Sequence, residues 1–485
     1  MYKRFERVHF VGIGGIGMSG IAEVLNNLGY EVGGSDLKES ETTKRLRELG
    51  ININIGHKEE NIKKADVVVI SSAVSSGNPE VEAARKLLIP VIPRAEMLAE
   101  LARLKYGVLV AGAHGKTTTT SLIAGLLGDG KLDPTVVIGG KLKGMGSNAR
   151  LGWGEFLVAE ADESDGSFLK LTPTIAVVTN IDNEHMDFFK NIDEIKAAFL
   201  SFINKVPFYG LSILCGDNEH IKELLPKVQR RFITYGLSEG MDLVAKDIRI
   251  EGLRSGFEAV LNGRSLGLFE VPLIGSHNVC NCLAAIAVAN ELKVNIDIIR
   301  ESLKNFSGVQ RRFELKGMVS GINVIDDYGH HPTEIAATLK AVKEAMLQKT
   351  EVRSQESGVR TQNSELKTQT TEHGRLIVLF QPHRYTRTRD LLGEFIDAFI
   401  DADKVVLMDI YPAGEKPLPG VNSELLYRGI KDTGKDIEYI GERDVILSYL
   451  EAEVKEADTL LTLGAGNVWK IGEEFLRMKN ERYEI

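Results

Sequence analysis

Val108-Leu-Val-Ala-Gly112-Ala-His114-Gly115-Lys116-Thr117-Thr118-Thr-Thr120 joins a short apolar run to a glycine-bracketed turn and a run of hydroxyl residues. Val108 to Val110 reads as a buried parallel strand, Gly112 and Gly115 permit a tight turn, and Ser121 to Leu127 reads as the following helix. Backbone N–H groups at that helix start face an anion, helped by the positive end of the helix dipole. Gly112, Ala113, His114, Gly115, Lys116, Thr117 and Thr118 are thus predicted to line nucleotide phosphates. Lys116 reaches the β- and γ-phosphates, and the Thr117 hydroxyl sits on Mg²⁺. Only the second half of the Walker A pattern is present, because Val110 stands six residues before the lysine, where a glycine is usual. A Gly-Lys-Thr turn alone is most often an ordinary loop; the strand before it and the helix after it favour phosphate binding.

Two further apolar runs end in acids. Phe156-Leu-Val-Ala-Glu160-Ala-Asp-Glu-Ser-Asp165 places four carboxylates within six residues after a strand, and Ile175-Ala-Val-Val-Thr-Asn180-Ile-Asp182-Asn-Glu-His185 ends another in Asn, Asp and His. A charge run is commonly a solvated loop, and a lone His185 is commonly a surface or core residue. Beside a phosphate loop, however, such oxygen ligands suit a hard cation between phosphates. Gly275-Ser-His277-Asn278-Val-Cys-Asn281 opens a long helix of small residues. Its His277, Asn278 and Asn281 are either cap and buried-helix polars or nucleotide contacts.

The N-terminal segment reads as a dinucleotide-type βαβ start: Val8-His-Phe-Val-Gly12-Ile-Gly14-Gly15-Ile16-Gly17, a helix, and a second strand ending at Ser35-Asp36, where the fingerprint wants a carboxylate on a ribose hydroxyl. NAD is the literal reading. The same glycine turn also holds the pyrophosphate of a sugar nucleotide, and Asp36 is alternatively a solvated turn residue. Ser71 and Ser72, after the buried Val67 to Ile70, either line the same crevice or only turn the chain. Ile92-Pro-Arg94-Ala-Glu and a helix over Met97 to Leu104 close this part.

The third part carries Val309-Gln-Arg311-Arg312, a strand Ile322 to Ile325 ending in Asp326-Asp327-Tyr328-Gly-His330-His331-Pro, and a helix Thr333 to Leu347. Residues 348–374 are almost wholly polar and predict a mobile loop or insertion. Gln381-Pro-His383-Arg384-Tyr-Thr-Arg387 follows the next strand; on an acidic protein its arginines fit a carboxylate clamp better than nucleic acid.

The 485 residues call for several domains, and three are expected: 1–104, 105–308 and 309–485, each α/β, the first and last Rossmann-like and the central one of P-loop ATPase type. A net charge of -9 argues against broad nucleic-acid binding. Three cysteines without metal-site spacing, and no apolar run of membrane-spanning length, lead to the expectation of a cytoplasmic protein, monomer or homodimer, with no membrane partner.

As an ordered set, Gly12-Ile-Gly-Gly-Ile-Gly17, Gly112-Ala-His-Gly-Lys-Thr117, Glu160-Ala-Asp-Glu-Ser-Asp165, His277-Asn278, Arg312-Phe-Glu, Asp327-Tyr-Gly-His330-His331-Pro and His383-Arg384-Tyr-Thr-Arg387-Thr resemble the Mur ligase family of peptidoglycan synthesis. The resemblance runs over nearly the whole chain. It departs at Ala111, where the family commonly has Thr, and at the 348–374 insertion. It implies one domain for a UDP-sugar, one for ATP and one for an amino acid. The implied reaction joins L-alanine to the lactyl carboxylate of UDP-N-acetylmuramate through an acyl phosphate, with release of ADP and phosphate.

By the family pattern Thr117 and Glu160 hold one Mg²⁺, and Glu160 with His185 a second. Lys116 neutralises the approaching anions, and Asn278, Asn281, Arg312 and Asp327 contact ATP. Gly12, Gly14, Gly15, Ile16, Gly17, Asp36, Ser71, Ser72 and Arg94 hold the UDP-sugar. Tyr328, His330, Arg384 and Arg387 place the amino acid and muramyl group, with His330 or a carboxylate as base for the amine. The competing readings are a sister ligase that attaches a preformed peptide to the same UDP-sugar, an NAD-dependent oxidoreductase with an accessory P-loop domain, and a non-catalytic nucleotide-dependent regulator.

Overall fold

A computed structural model describes residues 6–71, 73–139, 149–184, 188–356 and 374–481, with side chains throughout except at Ile16 and 348–356. Ser72 and His185 lie outside the described residues. The chain divides into two compact units: Met1–Asp247, Phe257–Glu270 and Asn278–Ser307 form the first, and Ile248–Gly256, Val271–His277 and Gly308–Ile485 the second. Among the described residues no helix is long and apolar enough to cross a membrane.

The first unit opens with a five-stranded parallel sheet in the order Asn52–Ile55, Glu31–Asp36, Arg7–Val11, Val67–Ile70, Val91–Pro93. The strand order reverses direction at Arg7–Val11, and Val11 pairs with both Ser35 and Ile70. Gly12 to Gly15 and Ser71 therefore leave the sheet at the crevice where α/β sheets bind ligands. A buried polar network ties the strands to the helix Pro79–Lys86. Glu80 accepts from Ser35 Oγ (2.6 Å) and Asn61 Nδ2 (2.5 Å), and lies 3.2 Å from His9 Nε2. A carboxylate with no exposed surface is tolerated there only because these partners replace water.

The second sheet has ten strands, with a parallel centre ordered Phe232–Gly236, Leu211–Cys215, Ile175–Val178, Tyr106–Ala111, Phe156–Glu160, Thr135–Val137. Its central strands are continuous apolar runs, which suits burial on both faces. Val110 pairs with Glu160 and Ala111 with Val178, so the phosphate turn, the first acidic run and the Thr179-Asn180 segment all emerge at one edge.

In the second unit, Glu314–Val319 pairs antiparallel with Ile322–Asp327, followed in order by the parallel strands Thr459–Leu463, Leu376–Phe380, Lys404–Leu407 and Ile437–Tyr439. Successive residues of one strand face opposite sides. Leu376, Val378 and Phe380 pack with Phe395 and Phe399, whereas Ile377 and Leu379 pack with Leu450 and Phe475. Both faces of the sheet are thus covered, as a Rossmann-like layer requires.

Two helix boundaries differ from the sequence expectation. The helix after the phosphate turn spans Lys116–Asp129, starting at the lysine rather than at Ser121, because Gly115 takes a left-handed φ of 80° and hands the chain directly into the helix. Thr117 to Ser121 are buried within it, and Ser121 Oγ donates to Thr117 O (2.6 Å). The helix predicted over Thr333 to Leu347 spans Pro332–Glu356 and so takes up the first part of the 348–374 segment expected to be a mobile loop. Residues 357–373 of that segment lie outside the described residues.

Candidate active site

The phosphate turn is held by the strand beside it. His114 N donates to Asn180 Oδ1 (2.7 Å), Ala113 N to Asn180 O (3.2 Å), and Thr179 Oγ1 to His114 O (2.6 Å). Gly112 has a φ of 134°, and a Cβ there would run into Thr179 and the backbone of Asn180; at Gly115 it would lie 2.6 Å from Asn281 Oδ1. Only glycine permits both approaches. Asn281 also accepts from Thr119 Oγ1 (3.1 Å) and donates to Asn278 Oδ1 (3.2 Å). The two asparagines of the helix Ser276–Glu291 therefore buttress the turn and the helix that follows it. His114 Nε2 lies 2.9 Å from Asp182. Asn180 and Asp182, read from the sequence as oxygen ligands for a cation, hold the turn and His114 here, and Thr179 joins them without having been singled out.

Lys116 Nζ donates to Gly112 O (2.5 Å), Ala113 O (3.1 Å) and Glu163 Oε1 (2.7 Å). Burial pulls its ammonium down, but Glu163, Asp162 and Glu184 outweigh that and hold it firmly protonated. Glu160, at the end of its strand, accepts from Gly139 N (2.7 Å), and a Cβ on Gly139 would stand 2.9 Å from its other oxygen. Glu163, one of the four acids read as cation ligands, is the lysine's partner.

Arg94 links the two sheets of this unit. Its Nη2 donates to Asp162 Oδ2 (3.1 Å), and a Cβ on Gly17 would lie 3.0 Å from its Nη1. One guanidinium thus lies against both the N-terminal glycine helix and the acidic run. Asp36, read as a ribose ligand or a turn residue, accepts from Gly14 N (2.8 Å), and a Cβ on Gly14 would meet that same carboxylate at 2.8 Å. Its carboxylate closes the glycine turn. Gly12 reaches its turn with a φ of 77°, Gly15 caps the helix Ile16–Asn27, and Ser71 O accepts from Val74 N, a local turn.

His277, Arg312, Asp327, Tyr328, His330, Arg384 and Arg387 belong to the second unit. Arg311 donates to Asp326 (3.0 Å) and to the carbonyls of Gly464 and Gly466, and lies 5.0 Å over the Tyr328 ring; Arg312 lies 5.2 Å from that ring. Asp327 accepts from Phe313 N (2.7 Å) and Gly329 N (2.8 Å). Burial pushes its carboxyl up to about 6, against the opposing charge of Arg312. The His330 ring meets His383 edge-on at 5.7 Å, and His383 stacks on Tyr411 at 5.7 Å.

His330 Nδ1 lies 3.1 Å from Tyr328 O, an acceptor only, so Nδ1 carries the proton and Nε2 keeps its lone pair. Burial, with the Arg387 charge acting the same way, lowers His330 to about 3 and His383 to about 4. Burial likewise lowers His277 to about 4. Arg384 sits at a φ of 71°, unusual for a non-glycine residue, with its N–H on Tyr411 O (2.9 Å). Arg387 Nη1 lies 3.4 Å from His383 Nδ1. Tyr411 and Glu415, which accepts from Thr386 Oγ1 (2.6 Å), complete a cluster that the sequence reading did not include. Strand pairing brings Tyr411 there, beyond the reach of local spacing.

A lysine-tipped phosphate turn flanked by acidic strand ends, on a chain whose described residues form three sheets, defines a nucleotide-dependent α/β enzyme. The catalytic domain of the Mur ligase family matches residues 7–106, the middle domain 110–289, and the glutamate ligase domain 311–352 and 357–466. Among similar proteins, the UDP-N-acetylmuramate–L-alanine ligase of Geotalea daltonii is 55% identical over 482 residues, 99% of this chain and 100% of that protein. The protein of the same name from Geobacter sulfurreducens is 54% identical over 483 residues, 99% of each. The crystal structure of the UDP-N-acetylmuramate-alanine ligase from Thermotoga maritima superposes with a TM-score of 0.79 at 28% identity, covering 98% of this chain and 99% of that one. The murein peptide ligase of Psychrobacter arcticus, at 23% identity and a TM-score of 0.68 over 98% of each chain, shares the fold. This chain belongs to the Mur ligase family and has its three-domain α/β fold. It is a ligase, and Mur ligases are ATP-dependent.

Proposed function

We propose that this protein joins L-alanine to the lactyl carboxylate of UDP-N-acetylmuramate at the expense of ATP. The observation that carries the reading is a part-buried Lys116 set against the Glu160 to Asp165 run, in a chain more than half identical over its whole length to ligases of that name. The carboxylate attacks the γ-phosphate, and the amine then attacks the acyl phosphate. The obstacle is the approach of two anions, which fixed positive charge relieves. Lys116 supplies such a charge.

Mg²⁺ fits the donor set, because Glu160 ends one parallel strand and Thr117 opens the helix that follows the turn after the neighbouring strand, and both offer hard oxygen. When bound, it shields the charge between phosphate and carboxylate. Gly12 to Gly17 and Arg94 hold the UDP-sugar, with Arg94 tying its glycine helix to the acidic run. Tyr328, His330, Arg384 and Arg387 hold the amino acid and the muramyl group. The proton of the amine goes to His330, whose Nε2 is unprotonated, or to a carboxylate.

The test is phosphate release by the full chain with ATP and Mg²⁺. Release is expected only when UDP-N-acetylmuramate and L-alanine are both present. Release with a preformed peptide in place of alanine would assign the sister activity, and release without the sugar nucleotide would remove the reading.

A further inference from the structure

Glu163 is the buried carboxylate of the acidic run, 3% exposed, and no step of the proposed reaction uses it. Its Oε1 accepts from Lys116 Nζ at 2.7 Å, while the same nitrogen donates to Gly112 O and Ala113 O. An ammonium carries three protons, and these three acceptors take them all. Lys116 cannot bond a phosphate oxygen while every one of these contacts stands. Two of the acceptors are neutral carbonyls of the turn itself; the third is an anion that competes with the nucleotide for the same cation.

We infer that Glu163 is a positioning residue that exchanges Lys116 with the nucleotide. It holds the lysine when the turn is empty, yields it to the phosphates as ATP enters, and takes it back as ADP leaves. The inference rests on the ATP-site reading above. A competing anion lowers the affinity of the turn for ATP and ADP alike, which speeds product release. Glutamine has the same shape and accepts the same hydrogen bond, but without the charge it surrenders the lysine more readily.

In a metal-free calorimetric titration of the full chain with the non-hydrolysable analogue AMP-PNP, Glu163→Gln is expected to bind on the order of tenfold tighter than wild type, the size usual for residues in direct contact. The same substitution on a Lys116→Ala background is expected to change affinity by less than about twofold, since the competitor then has nothing to withhold. In steady state, KM for ATP and the inhibition constant of ADP fall together in Glu163→Gln, while kcat falls as release slows. Unchanged or weaker AMP-PNP binding by Glu163→Gln overturns the inference, as does tightening that persists without the lysine, which would be a general charge effect.

A second measurement needs no variant. In a crystal structure of the wild type with AMP-PNP, Lys116 Nζ is expected on a phosphate oxygen and out of hydrogen-bond reach of Glu163; a lysine still bonded to Glu163 overturns the proposal. A wild type that does not take AMP-PNP at this turn defeats the ATP-site reading itself. Normal wild-type binding with no effect of Glu163→Gln defeats this inference alone.

Discussion

Lys116 and Glu160 separate two kinds of loss. The Lys116–Glu163 pair is largely out of solvent, with side chains 17% and 4% exposed. Lys116→Ala is therefore expected to abolish coupled phosphate release, by about a thousandfold or more. It also strands a buried carboxylate, at a cost of about 3–5 kcal/mol in stability. Glu160 is half-buried at the end of its strand, where it accepts from Gly139 N. Glu160→Ala is expected to lose turnover to a similar degree while melting within about 1 kcal/mol of wild type, the usual result away from the core. Paired phosphate-release and thermal-melting assays check both; normal turnover in either variant would displace the proposed site. The glycine turn, the lysine and the acids were legible as residues because their chemistry depends on short spacing. Glu163 was quoted in the same run, yet which of its four acids meets the lysine is a matter of side-chain direction.

The loops that end the strands Ile322–Asp327 and Leu376–Phe380 set the acid response of the second unit. His330 and His383 are held neutral there, at about 3 and about 4 against an ordinary 6.5, and His277 is held at about 4. A depressed histidine takes up its proton more readily when unfolded, so its contribution is full above pH 6.5 and is lost as the pH falls toward its folded value. Asp327 runs the other way. Its carboxyl is raised from 3.8 to about 6, so it contributes at low pH and that contribution fades as the pH rises through this window. Burial raises Asp326 as well, so it runs with Asp327; the three histidines outweigh the two carboxyls, and the melting temperature is expected to drop between pH 7 and pH 5. In His383→Asn the drop should be smaller, and equal drops in variant and wild type would contradict the assignment. Strand positions in these elements followed from apolar runs. The full length of the helix Pro332–Glu356 did not, because its last turns are polar and carry no apolar stripe to announce them.

For the molecule as a whole, a ligand that binds only the folded state stabilises it by mass action. AMP-PNP at about a hundred times its dissociation constant should add ~2.7 kcal/mol to the unfolding free energy of the unit that holds the phosphate turn. Differential scanning calorimetry of the full chain reads this as a shift of that unit's transition. An unshifted transition of that unit would show that it does not hold the nucleotide. Composition and the alternation of strand and helix patterns were enough for an α/β chain with a dinucleotide-type start and a phosphate turn, since periodicity and glycine spacing are local properties. Partnership was decided only by tertiary structure. Arg94 meets Asp162, Asn281 reaches Gly115, Asp36 closes on Gly14 and His383 stacks on Tyr411, each across a separation that only strand order bridges. A side chain's chemistry belongs to its residue type, but the group it neutralises or orients is whichever one the packed sheet brings within about 3 Å of it.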